Sequence, residues 1–318
     1  MSTLPFLHEH KEFKDLLEIL SKELGILPQL VEKDYWLMHC LFGLLSLKFH
    51  IELKGGTSLS KGFQVIDRFS EDIDIKIDPP EHLEVKTGPN HDKEIHVESR
   101  RKFFDWLKDN IKIPGIISVE RDTEFDDAAH MRGAGIRLRY KSYYDPLPKL
   151  KVGILLEVGF DRTAPNEKVT ISSWAYEQAI KVKGPLHDNR AIDVPCYLPE
   201  YTFVEKLQAI STKYRQQQEK GKTFPPNFLR HYYDVYRLLD LESVQKFIGT
   251  AEYDQYKDKR FRGADNRNIA ANDAFTLSDA AVRSLYEAEY QKGADLYYKG
   301  QVPFTEILGR IQKNIERL

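Results

Sequence analysis

Asp72 and Asp74, with Ile73 between them, are the residues whose types and spacing could do the most chemistry. On an extended strand, residues two apart point to one face, so these carboxylates converge. Two like charges so placed repel unless a cation lies between them. Mg2+, a hard cation that takes a few carboxylates together with phosphate oxygens, is the natural occupant. Ile73 and Ile75 then face a core and set the strand's register. For an Asp-x-Asp taken alone, the competing reading is a solvated strand face. Just upstream stands Leu53-Lys-Gly-Gly-Thr-Ser-Leu-Ser-Lys61. A Gly55-Gly56 turn between a strand and a helix offers main-chain N–H groups to an anion, and glycine lets phosphate come close. The hydroxyls of Thr57 and Ser58 can add donors. The turn by itself is a weak signal. Followed by paired carboxylates, it sets a phosphate cradle beside the ligands of the phosphate's cation.

These groups need a strand, a turn and a second strand to aim them, and the hydrophobic pattern supplies all three. Ile51 to Lys54 reads as a short strand, Thr57 to Phe63 as a helix start, and Ile73 to Ile77 as a strand stopped by Pro79-Pro80. Two helices precede them, one carrying Phe13, Leu16, Leu17 and Leu20, the other running from Leu30 to Leu47 behind Pro28. Glu81 to Asp92 reads as a loop, and Phe103, Phe104 and Leu107 mark a helix. Alternation then predicts strands at Ile116 to Glu120, Gly135 to Tyr140, Lys151 to Phe160 and Ala191 to Leu198, with a polar excursion from Thr123 to Arg132. Beyond Pro199 the pattern is helical, at 200–217, 226–240, 278–292 and 303–317, with loops at Gly221 to Pro226 and Arg262 to Thr276. A boundary near residue 199 therefore divides 1–199 from a helical 200–318.

The order of a Gly-Gly turn followed by Asp-x-Asp resembles the nucleotidyltransferase superfamily of DNA polymerase β. The fuller strings, GGTSLSKGF and then RFSEDIDI, resemble the AbiEii/AbiGii-type toxin nucleotidyltransferases, a group that includes the MenT-type toxins. Val31-Glu-Lys-Asp-Tyr-Trp36 is similar to that family's lead-in, and the resemblance runs from about residue 30 to about residue 240. It implies an α+β fold: a nucleotidyltransferase-type mixed sheet with flanking helices, followed by a helical C-terminal half. It implies a Mg2+-dependent enzyme that moves a nucleoside monophosphate from an NTP to an acceptor hydroxyl and releases pyrophosphate. Gly55, Gly56, Thr57 and Ser58 would bind the nucleotide, and Asp72 and Asp74 the metal. Arg68 and Ser70 flank and shape the site. The superfamily's third carboxylate falls on Glu157, within Leu155-Leu-Glu-Val-Gly-Phe160. That residue also reads as an edge-strand glutamate facing water, and Glu124, Asp126 and Asp127 form a competing acidic cluster.

Two later positions take roles from the same resemblance. Lys206 borders the apolar stripe of Phe203, Leu207 and Ile210, where a lysine can snorkel to solvent or turn toward a bound triphosphate. The family's helical lysine assigns it the second role. Asp234, in Arg230-His-Tyr-Tyr-Asp-Val-Tyr-Arg237, matches a later family motif and could orient the acceptor or assist proton removal. The i,i+4 spacing of Arg230 and Asp234 also fits a surface ion-pair ladder. The resemblance further implies a toxin with an antitoxin protein as partner. MenT-type members act on the 3′ end of tRNA, so RNA is the expected acceptor.

Composition narrows the field without choosing within it. The 318 residues are 41% hydrophobic and 30% charged, as in ordinary globular protein, with a formal net charge of −2. Polyanion binding would need a local basic patch, and Lys213, Arg215, Lys220, Lys222 and Arg230, interleaved with aromatic residues, are candidates for an RNA face. No apolar run approaches membrane-spanning length, and the polar start predicts no secretory leader. Cys40 and Cys196 sit in separate apolar contexts, which predicts core residues and a cytoplasmic protein. His130, His187 and His231 have no metal-ligand spacing. A module that holds NTP without transferring it, and a nucleotidyltransferase that modifies protein, are the two competing functional readings.

Overall fold

The computed structural model describes residues 4–147, 150–161, 163–182, 185–221, 223–261 and 263–318. Lys222, Arg262 and the first three residues, all touched by the sequence expectations, lie outside them. The chain divides into two compact units: Met1–Phe63 with Phe69–Tyr197, and Gln64–Arg68 with Leu198–Leu318.

The first unit is built on one mixed sheet. Two helices come first, α1 (Phe13–Leu24) and α2 (Pro28–Ser46). Helix α1 buries its four predicted apolar residues and ends at Gly25, whose left-handed φ of 65° suits a C-cap glycine. Pro28 opens α2 at the first turn, where its missing N–H costs nothing. Strand β1 (Ile51–Lys54) runs into a short turn of helix, α3 (Gly55–Thr57), which a wider turn over Ser58–Gly62 continues. Strand β2 (Asp72–Ile77) buries Ile73, Ile75 and Ile77 on one face, as its alternation predicts. Helix α4 (Glu94–Asn110) leads to β3 (Ile116–Asp122), β4 (Gly133–Tyr140) and β5 (Ile154–Gly159). Next come β6 (Asn166–Ile171), α5 (Trp174–Val182) and β7 (Ala191–Tyr197).

The strand order is β3-β4-β5-β2-β1-β7-β6. Strand β2 lies antiparallel to β1 and parallel to β5, which puts the Asp-x-Asp strand in the sheet interior. Helix α2 packs across β2, β5 and β7. That is why its surface is buried almost all round, including the charged residues Glu32, Lys33 and Asp34. Strand β6 and helix α5 are absent from the sequence expectation. Strand β6 is a mostly exposed edge, so its residues carry no apolar alternation to read. Cys40 and Cys196 are buried free thiols.

The second unit is helical: α6 (Pro199–Glu219), α7 (Arg230–Leu238), α8 (Glu242–Phe247), α9 (Ala251–Arg260), α10 (Asp273–Thr276), α11 (Ala280–Gln291) and α12 (Phe304–Asn314). Helix α6 packs against α7, α8, α9 and α10, and α7 against α12. Pattern reading misses α8, α9 and α10. The ten residues of α9 bury only Tyr253, and its start is fixed by the Thr250 side chain capping the Tyr253 amide. The segment expected to be loop from Arg262 to Thr276 instead contains α10 and a 3-10 turn at Ile269–Ala271.

The segment Gln64–Arg68 belongs to this helical unit and not to the sheet it interrupts. Arg68 forms an isolated antiparallel bridge with Tyr297, and the Asp67 amide donates to the Tyr233 hydroxyl at 3.1 Å. Tyr298 donates to the Ile66 carbonyl and Arg237 to the Val65 carbonyl. No helix among the described residues is long and apolar enough to cross a membrane.

Candidate active site

Register places the predicted groups together within the first unit. Asp74 lies opposite Lys54 of β1 on one side and Glu157 of β5 on the other. Gly55 follows Lys54 with φ +73°, and a Cβ added there would meet Asp74 Oδ2 at 2.2 Å. The glycine turn is thus pressed against the second aspartate, and any side chain at residue 55 must both bear the left-handed φ and shift the Asp74 carboxylate. Gly55→Ala is expected to cost about 1–3 kcal/mol through backbone strain and to push the Asp74 carboxylate aside. Gly25→Ala, at a similar φ but with nothing within 4 Å, serves as the strain-only control. Thermal melts of both, with nucleotide binding measured alongside, check this: equal binding by the two variants would remove Gly55 from the site.

Thr57 and Ser58 are fully buried, and the Thr57 hydroxyl donates to the main-chain carbonyl of Asp72. The expected role of that hydroxyl as a phosphate donor therefore gives way to a structural one, tying the turn to β2. Ser70 is half-buried and precedes Glu71, whose carboxylate is buried.

Asp72 is nearly buried. Its Oδ2 accepts from the Lys151 ammonium at 2.6 Å, whereas its Oδ1 is buried with no hydrogen-bond partner among the described residues. Burial pushes its pKa up to about 6, with Lys151 opposing and the charges of Glu71 and Asp74 adding. Glu157 is also raised, first by burial and then by the charges of Asp74 and Asp72, and its Oε1 lies 3.6 Å from Lys151. Among the described residues no three His, Cys, Asp or Glu side chains converge closely enough to cage a metal ion. Donor chemistry nevertheless fits Mg2+, which usually takes one or two carboxylates and leaves its other positions to water and phosphate. Asp72 Oδ1 is a buried acceptor without a donor, a state that costs free energy unless a cation or proton meets it. Two members of the competing acidic cluster are already engaged, Asp126 by Arg121 and Asp127 by the amides of Ala129, His130 and Arg132, and the third, Glu124, is exposed.

Sequence reading missed what supports this centre. Lys33 lies 3.6 Å from Glu71, and Asp34 lies 2.7 Å from Lys61, which follows the glycine turn. Asp34 also accepts from the Trp174 amide, and Glu32 from Ser142 and the Tyr143 amide. One buried stretch of α2 therefore braces both the turn and the approach to Asp72. The visible signal was three consecutive charges inside an otherwise apolar helix, a pattern that is expensive unless every charge is paired.

The second unit gathers Lys206, Asp234 and Arg68. Arg68 grips Asp234 through two parallel bonds of 2.7 Å, and the Lys206 ammonium lies 3.0 Å from the same carboxylate. Asp234 is 0% exposed, so a surface ladder is not its setting. Arg230 bonds the Asn227 side chain instead. Burial alone would raise the Asp234 carboxyl, but the charges of Arg68 and Lys206 outweigh it and hold it well below the usual range. Such a carboxylate is a poor proton acceptor, and it pairs with both Arg68 and Lys206. Of the aromatic residues in this half, Phe228, Tyr232, Tyr233 and Tyr286 are buried, whereas Tyr214, Phe224 and Tyr236 are half-buried. Of the basic residues, Lys213 donates to the Pro226 carbonyl and Arg215 pairs with Asp265 and Glu219.

The mixed sheet thus sets a glycine turn against an Asp-x-Asp strand, with a glutamate in register on the next strand, the arrangement that the resemblance to nucleotidyltransferases leads one to expect. Residues 39–310 match the profile of the nucleotidyl transferase AbiEii toxin family of type IV toxin–antitoxin systems, and the chain belongs to that family. None of the curated proteins compared with the chain matches it. Membership implies an NTP substrate and an antitoxin partner.

Proposed function

We propose that the protein transfers a nucleoside monophosphate from an NTP to a hydroxyl of RNA, with the 3′ end of tRNA as the acceptor, and acts as the toxin of its pair. The observation that carries this reading is the contact of Gly55 with Asp74 beside Asp72 Oδ1, a buried oxygen with no hydrogen-bond partner among the described residues. In the reaction the acceptor hydroxyl loses its proton to solvent, its oxygen bonds the α-phosphorus, the bond from that phosphorus to the bridging oxygen breaks, and pyrophosphate leaves. Mg2+ held by one or two of the carboxylates Asp72, Asp74 and Glu157 would supply charge neutralisation for the triphosphate and acidify the acceptor hydroxyl. The Gly55-Gly56 turn admits the phosphates at main-chain distance. Lys206, kept in place by Asp234, contributes a fixed positive charge to phosphate binding.

Incubating the pure protein with each labelled NTP and total RNA tests the proposal. Label is expected to enter RNA in a Mg2+-dependent manner, and RNA binding is expected to weaken as salt rises. Nucleotide bound but never transferred would replace this reading with a binding module. Label appearing in protein would make it a protein-modifying enzyme.

A further inference from the structure

We propose that Lys151 is the resident counter-cation of this site, neutralising Asp72 and Glu157 until a divalent cation arrives and then turning to the incoming triphosphate. The second half rests on the nucleotide-binding reading above; the first does not. The Lys151 ammonium stands 2.6 Å from Asp72 Oδ2 and 3.6 Å from Glu157 Oε1, so it bridges two of the three carboxylates assigned to the metal. Its main chain is clamped on both sides: the amide donates to Glu71 Oε2 at 3.0 Å, and the carbonyl accepts from Lys33. The clamps fix the backbone and leave the four-carbon stem to pivot. Phe125 lies 4.6 Å below the ammonium and offers its ring face as one wall of the pivot.

A metal ion and an ammonium cannot share one carboxylate oxygen, because like charges at contact distance repel strongly where water is scarce. Among the described residues Asp72 Oδ1 has no hydrogen-bond partner while Oδ2 holds the lysine, so these residues leave the carboxylate only half satisfied. A divalent ion on Oδ1 would lie a carboxylate's width from the ammonium on Oδ2, and the repulsion between the two cations, with water scarce, pushes the lysine away. Its ammonium then stays beside a centre to which the ion brings phosphate oxygens, the anions a lysine binds well. Free Lys151 thus weakens binding of bare metal and strengthens binding of the metal–nucleotide complex. A lysine that only propped the loop would do neither.

Lys151→Met keeps the stem and removes the charge. Mn2+ binding followed by electron paramagnetic resonance, without nucleotide, is expected to tighten by about tenfold in Lys151→Met and to return toward the wild-type value in Lys151→Arg. Affinity for a non-hydrolysable α,β-methylene NTP with Mg2+ is expected to weaken by about tenfold in Lys151→Met. Mn2+ affinity that is unchanged or lower in the methionine variant overturns the counter-cation role. Unchanged nucleotide affinity overturns the hand-over. Should Lys151→Met not fold, wild-type protein with 13C-dimethylated lysines carries the test. The resonance lost in Lys151→Arg must shift as Mg2+ is added, and a resonance that stays put overturns the proposal. Label transfer by the wild type is run in parallel. Its absence would sink the transferase reading while leaving the Mn2+ result to stand or fall by itself.

Discussion

Asp72→Asn and Asp74→Asn each give a folded protein whose nucleotide transfer is lower by on the order of a thousandfold or more, the scale on which enzymes lose rate when a central electrostatic group is removed. Asparagine keeps the shape and removes the charge, so the loss reports the charge. Stability is expected to move the other way for Asp72. Its folded pKa of about 6 lies above the ordinary value of about 3.9. A carboxyl shifted up contributes stability that is complete below its unfolded pKa and is lost as pH rises through the folded one. In a chelating buffer at pH 8 the wild type therefore carries an ionised Asp72 that opposes folding, and Asp72→Asn does not. The variant should melt at or above the wild-type temperature at pH 8, with the advantage gone by about pH 4. Melting curves in chelator across this range, together with labelled-NTP turnover, check both halves. Turnover near the wild-type level in either variant would remove the central claim about the site.

Asp234→Ala is expected to produce the largest change in stability. It leaves Arg68 and Lys206, both nearly buried, facing one another without their shared carboxylate. Breaking a buried ion pair from one side typically costs about 3–5 kcal/mol, a fall of roughly 10 °C or more in melting temperature for a unit of this size. Lys206→Ala should behave differently, because the two Arg68 bonds still satisfy Asp234. That variant should melt close to the wild type yet bind NTP about ten- to a hundredfold less tightly, the worth of a charge-assisted contact of about 1.5–3 kcal/mol. The Asp234 carboxyl is held below its ordinary range, so its contribution is present above about pH 4 and is lost only as pH falls into strong acid. Wild type and Asp234→Ala should consequently converge in stability at the acid end of a pH series. Equal melting temperatures at pH 7 would show that the triad bears no weight.

The parts of the fold legible in the sequence are those where burial is one-sided. Ile73, Ile75 and Ile77 alternate with polar neighbours because one face of β2 meets the core, and that alternation also announced the two aspartates. Phe13, Leu16, Leu17 and Leu20 gave α1 for the same reason. Strand β6, with four of its six residues exposed, and α9, with a single buried tyrosine, have no such asymmetry to show. Lys151 was legible only as the first residue of a strand. Its place beside Asp72 arises from pairing between β2 and β5, a contact between residues 79 apart in the chain. Arg68 read as a residue flanking the site. Its grip on Asp234, 166 residues away, is a property of the folded helical unit alone.

Gln64–Arg68 has a consequence for how this protein can be taken apart. The chain leaves the sheet unit after Phe63, spends five residues in the helical unit, and returns at Phe69 before leaving again after Tyr197. A fragment ending at residue 197 would carry Val65, Ile66 and Arg68, all buried in the whole chain, without the groups that receive them. A fragment beginning at 198 would hold Asp234 with Lys206 but without the bidentate guanidinium. Neither half is a cassette that recombination can trade for another, since each exchange would have to import a matching pentapeptide between the glycine turn and the aspartate strand.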